Sequence, residues 1–92
     1  MAIFVADHHL KDFAAWLDMF TANPPPPIGR WRLLRGSEDP NRVRVVGEID
    51  DSEVDEVKSY FASNQMQDVF KKVNELSTTP LEFVWFEDIT PT

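Results

Sequence analysis

Ninety-two residues allow one domain at most, since a chain of this size buries only about 60 to 65% of its unfolded surface in a single core. Sixteen acidic against nine basic residues give a net charge of −7 and an isoelectric point near 4.6. That charge repels phosphate backbones and anionic membrane surfaces, so no nucleic acid and no membrane is expected as a partner. The absence of cysteine removes disulfides, thiolate nucleophiles and cysteine metal sites, leaving oxygen and imidazole chemistry.

A hydrophobic content of 42% with 27% charged residues fits a folded globule rather than a disordered chain. The longest apolar runs, such as Met1 to Ala6, fall far short of the roughly 20 residues that span a bilayer. No basic residue precedes that apolar start, so no targeting signal is read and a cytoplasmic location is the default expectation.

In chain order, the β-formers Ile3, Phe4 and Val5 predict a first strand ending near His9. Asp12 is placed as the N-cap of a helix running to about Ala22. Its Phe13, Trp16, Leu17 and Phe20 share one stripe at i, i+3, i+4 and i+7. Pro24 to Pro27 stop it and predict a stiff polyproline II strut; no second proline cluster supports a reading as a signalling-type ligand. Gly29–Arg35 and Arg42–Ile49 alternate in hydrophobicity and flank a turn rich in Gly, Ser, Asp, Pro and Asn, which predicts an antiparallel hairpin.

Asp50 to Glu53 supply a cap and an acidic first turn for a second helix. Around Ala62-Ser63-Asn64 the apolar stripe restarts with Ser63 as a new cap, so the helical region is expected to break there. Leu81 to Asp88 closes the chain as a fourth strand. The order β-α-β-β-α-β predicts an α+β, ferredoxin-like domain over residues 1–92, a four-stranded antiparallel sheet with its helices on one face.

Alternation assigns Ile3, Val5, Trp31, Leu33, Val43, Val45, Ile49, Leu81, Phe83 and Trp85 to the helix side. The opposite face then receives Phe4, Ala6, His8, Leu34, Val46, Val84 and Phe86, interleaved with Arg32, Arg44, Glu48 and Glu82. Such a face would expose several hundred Å² of apolar surface. Shielding about 400 Å² per chain corresponds to roughly 10 kcal/mol per chain before the entropic cost of association. A homodimer with the two sheets face to face is therefore expected.

The segments His8-His9-Leu10-Lys11-Asp12-Phe13 with Trp16, Trp31-Arg32-Leu33-Leu34-Arg35 followed by Glu38-Asp39-Pro40-Asn41, Glu48-Ile49-Asp50-Asp51 and Phe61-Ala62-Ser63 resemble the dimeric α/β-barrel superfamily, including uncharacterised members related to antibiotic-biosynthesis monooxygenases. The resemblance spans nearly the whole chain and rests on strand exits, a hairpin turn and helix caps. It implies a barrel formed by two chains and a cavity between sheet and helices or between sheets. It implies no single reaction, because the superfamily ranges from cofactor-free oxygenation of aromatic polyketide-like substrates to haem degradation. The proline run departs from its usual connection, and no full catalytic set is matched.

Asp7-His8-His9 superficially matches a metal-binding signature, but neighbouring strand residues point to opposite faces and cannot readily share one ion. No metal and no cofactor is assigned. His8 is the best catalytic candidate, as a general base or hydrogen-bond anchor on the uncovered face; its plainer role is a structural histidine bonded to a neighbouring strand or the partner chain. His8, Phe4, Phe86, Arg32, Arg44 and Glu48 form the candidate ligand-binding set. The three charged members could instead form an interchain salt-bridge rim. Trp16, Trp31 and Trp85 serve either as core or as an aromatic pocket.

The function expected is a small homodimeric barrel protein that binds an apolar or aromatic small molecule, with cofactor-independent monooxygenase-like chemistry as an extension. The alternative is a non-catalytic binding or assembly module. An enclosed cavity of about 300 Å³ or more beside His8 would favour a ligand, and a packed interior would favour assembly.

Overall fold

Strand β1 (Ala2–His9) runs through the middle of the sheet, hydrogen-bonded on both sides. The computed structural model describes residues 1–91. It contains β1, helix α1 (Phe13–Ala22), strands β2 (Arg30–Arg35) and β3 (Arg42–Ile49), a 3₁₀ turn (Asp51–Glu53), helices α2 (Val54–Ala62) and α3 (Asn64–Glu75), and strand β4 (Glu82–Glu87). The sheet order is β2-β3-β1-β4, with every pairing antiparallel. This is the α+β, ferredoxin-like arrangement expected from the order of elements.

The caps operate as the residue types predict. Asp12 Oδ1 accepts from the backbone N–H of Ala15 at 3.1 Å, and Ser63 Oγ accepts from that of Met66 at 3.3 Å. Ser63 has extended backbone angles between α2 and α3, so the expected break falls on that residue. At the end of α1, the Asn23 side chain and backbone N–H both donate to Met19 O. Past α3, Thr78 N–H donates to His9 O at 2.7 Å and Lys11 N–H to Leu76 O at 2.8 Å. These bonds tie the end of β1 to the exit of α3.

The core lies between the sheet and the helices, with Trp16, Val43, Ile49 and Val57 almost wholly enclosed. Phe4 is its hub: the rings of Trp31, Phe61, Phe83 and Trp85 all lie with centroids 5.0–5.7 Å from it, the spacing at which aromatic pairs attract.

Register corrects the assignment of faces in β1. Phe4 pairs with Gly47 and Trp85, Ala6 with Val45 and Phe83, and His8 with Val43. Phe4, Ala6 and His8 therefore lie on the helix side with Trp31, Leu33, Val43, Val45, Ile49, Phe83 and Trp85. Ile3 and Val5, expected beneath the helices, lie on the uncovered face. The other three strands keep their expected phase, so Leu34, Val46, Val84 and Phe86 share the uncovered face with Arg32, Arg44, Glu48 and Glu82. The cause is the unbroken apolar run Ile3-Phe4-Val5-Ala6, which carries no period-two signal; pairing with β3 sets its phase instead.

Gly47 provides the space that this packing needs. A Cβ there would lie 2.7 Å from Cζ3 of Trp31, the residue directly opposite on β2. Gly47→Ala is expected to displace the Trp31 ring from Phe4 and Phe61 and to cost about 1–3 kcal/mol through overpacking. A lower urea midpoint with an unchanged slope would show it.

Candidate functional site

The same register divides the expected ligand-binding set in two. His8 and Phe4 face the helices, whereas Arg32, Arg44, Glu48 and Phe86 occupy the other side of the sheet. A single pocket combining the six is ruled out by this geometry.

On the helix side, His8 is 5% exposed and lies against Trp16, ring centroids 5.1 Å apart. Trp16 in turn stacks on Phe20 at 5.2 Å, so α1 holds the imidazole from above. Helix α1 can do so because Trp16 and Phe20 fall one turn apart on its inner stripe. His8 Nδ1 is buried with no hydrogen-bond partner among the described residues. The expected bond to a neighbouring strand is not made. Burial pushes the imidazole down to about 4, against a smaller opposing effect of the Asp7 charge, so at neutral pH His8 is uncharged.

Beside His8 lies a cavity of about 60 Å³ between sheet and helices, its wall formed largely by aromatic rings such as Phe61, Phe70 and Phe83 together with Met19 and Met66. This is well below the 300 Å³ expected of a ligand cavity, yet the interior is not fully packed. Asn23 and Pro25 contribute to its wall, and the Tyr60 hydroxyl donates to Pro24 O at 3.2 Å. The proline segment thus forms part of the wall as well as connecting α1 to β2.

On the uncovered face, Arg44 holds Asp7 through two bonds, Nε to Oδ1 at 2.7 Å and Nη2 to Oδ2 at 3.1 Å. The guanidinium keeps the Asp7 carboxyl below its usual range, chiefly through that hydrogen bond. Arg32 approaches Glu48 at 3.9 Å, a looser pair. Around them Leu34 (46% exposed), Val84 (41%) and Phe86 (53%) lie open. Among the described residues, no three His, Cys, Asp or Glu side chains cluster as metal ligands do. No helix among them is long and apolar enough to cross a membrane.

Sequence reasoning placed His8 on the wrong face and overlooked Asp7 as an ion-pair partner. One signal was available for both. A charged side chain is almost never buried unpaired, so Asp7 belongs on the open face and its neighbours in β1, Ala6 and His8, belong inside.

No family model matches the chain, and no curated protein matches it. Solved structures do. SnoaB, a cofactor-independent oxygenase from Streptomyces nogalater whose structure is that of a variant, aligns over 98% of this chain and 94% of its own with a TM-score of 0.73 and 16% identity. An antibiotic biosynthesis monooxygenase aligns over 98% of this chain and 100% of its own, with a TM-score of 0.71 and 15% identity. A conserved protein from Methanosarcina mazei Go1 aligns over 94% and 91%, with a TM-score of 0.72 and 14% identity. The chain therefore has the fold of the antibiotic-biosynthesis monooxygenase structures; at these identities the likeness is one of fold.

The buried imidazole makes stability depend on pH. In the unfolded chain a histidine takes up its proton near pH 6.5, whereas folded His8 does so only near 4. Its contribution is complete above pH 6.5, declines as pH falls through that window and is lost below about 4. The expected loss is up to about 3 kcal/mol, read by urea unfolding at pH 7, 5 and 4. His8→Phe should remove this component of the pH dependence.

Proposed function

We propose that this chain binds a small apolar molecule in the cavity between its sheet and helices, and that it does so as a homodimer. One observation carries the binding role: an aromatic-walled cavity between sheet and helices whose wall includes the buried His8 imidazole.

The dimer is supported by the uncovered face. Ile3, Val5, Leu34, Val46, Val84 and Phe86 give it an apolar centre. Its β2–β3 half carries Arg30, Arg32, Arg42 and Arg44 with Glu48, and its β1–β4 half carries Asp7 and Glu82. A second copy related by a twofold axis running along the strands would set basic half over acidic half.

Oxygenation is a second reading, favoured by the fold shared with a cofactor-independent oxygenase and by the uncharged His8. An imidazole with a pKa near 4 is free to accept a proton but is a weak base, so the substrate proton must itself be acidic. The substrate anion would then reduce oxygen directly. Without an outside reductant the electrons balance when a methylene becomes a carbonyl: CH₂ plus O₂ gives C=O plus water.

Two measurements test these readings. Sedimentation at micromolar concentration is expected to give twice the 10.6 kDa of one chain, with Val84→Glu or Phe86→Glu giving monomers; monomeric native protein would end the dimer reading. Oxygen uptake with an electron-rich phenol bearing an acidic methylene is expected to fall by about a hundredfold or more in His8→Ala, the usual range for loss of a general base. Equal rates would remove His8 from the chemistry.

A further inference from the structure

Along the two central strands, the uncovered face presents four cross-strand pairs: Ile3 with Glu48, Val5 with Val46, Asp7 with Arg44 and His9 with Arg42. The first and last lie toward the strand ends. Between them an apolar pair, Val5–Val46, adjoins an ion pair, Asp7–Arg44.

That ion pair is satisfied only in part. Arg44 gives Nε and Nη2 to Asp7, which leaves Nη1 and its two N–H groups without a partner among the described residues. Each Asp7 oxygen accepts one bond, where a carboxylate has about four acceptor positions in all. The two side chains are 45% and 34% exposed, so the unused donors and acceptors remain reachable from outside the chain.

Aligned sheets stacked face to face admit a twofold axis in the plane between them, running either across the strands or along them. An axis across the strands lays each strand on its own copy. At the level of the ion pair it sets Arg44 on the partner's Arg44 and Asp7 on the partner's Asp7. Halfway to the next pair it sets both charges on valines, Arg44 on the partner's Val46 and Asp7 on the partner's Val5. An axis along the strands, centred between β1 and β3 where two such sheets overlap most, exchanges the members of every pair instead. Val5 then meets the partner's Val46, and Asp7 meets the partner's Arg44. The gap between packed sheets is about 10 Å, which an extended arginine and a carboxylate bridge from opposite sides.

Four buried charges do not by themselves tighten association, since desolvation offsets their attraction. The apolar residues around them supply the affinity. A closed set of charges supplies discrimination, because another chain or another orientation leaves a charge unpaired or against its like.

We infer that Asp7 and Arg44 of two copies close into a ring of four alternating charges on the twofold axis. This ring selects a second copy of the same chain, in one orientation, as the partner of the uncovered face. The inference rests on the dimer reading and adds what chooses the partner.

The doubly exchanged chain Asp7→Arg/Arg44→Asp tests it, since an ion pair persists within the chain while the ring is reversed. Native chain labelled with ¹⁵N and unlabelled exchanged chain are checked for folding by circular dichroism, unfolded together in urea, refolded, and weighed as intact dimers by native mass spectrometry. Each chain is expected to pair with itself, with mixed dimers below about a tenth of the total, where random assortment gives half. A share near half would overturn the ring as selector. A share above half would overturn the axis along the strands, because stacking across them sets the native Arg44 on the carboxylate introduced at position 44. The chain Asp7→Asn/Arg44→Gln, close in shape to the native one, should also give mixed dimers below half; it decides the matter if the exchanged chain does not fold, and a share of half would again overturn the ring. If the native chain alone is monomeric at the same concentration, the dimer reading falls and this inference with it.

Discussion

The pairing of β1 with β3 is the constraint on which the remainder of the molecule depends. Ala2 opposes Ile49, and each following pair is fixed in turn until His9 meets Arg42. A slip of one residue would exchange every side chain of β1 between the two faces. Asp7 would then face the helices, and Phe4 would leave the ring cluster it organises. Two features favour the observed register: the paired bonds between Asp7 and Arg44, and the glycine at 47 that leaves room for the Trp31 indole beside Phe4.

Given that register, the sheet separates two kinds of chemistry. The helix side is apolar throughout its centre, and a titratable group placed there is held in its uncharged form by desolvation. His8 follows this rule: the Asp7 charge on the neighbouring residue opposes the shift but does not outweigh burial. The open side keeps its charges hydrated, pairs Asp7 with Arg44 and Arg32 with Glu48, and carries apolar residues between them. Such a face resembles a protein interface more closely than an ordinary solvated sheet, where polar residues would occupy the outward positions.

The fold by itself leaves the chemistry undetermined, since one architecture supports many activities through the residues set into it. In this chain the distinguishing residues are His8, Trp16 and the ring-lined cavity between them and α2–α3. The proline segment belongs with them. Pro25 contributes to the wall, and Tyr60 bonds to Pro24 O, so a segment that reads as a connector also lines the cavity.

The order of elements, the caps at Asp12 and Ser63, the hairpin turn and the phase of β2, β3 and β4 are all determined by the sequence, because each depends on local residue types or on alternation within one strand. The phase of β1 is not written in its four consecutive apolar residues, which look the same from either face; the one local signal is the charge on Asp7, and pairing with β3 enforces the phase that charge favours. The candidate site divided for that reason. Arg32, Arg44, Glu48 and Phe86 were legible as one outward set from their own strands. Whether His8 joined them, or lay buried against Trp16 beside a cavity, depended on contacts made by residues far apart in the chain.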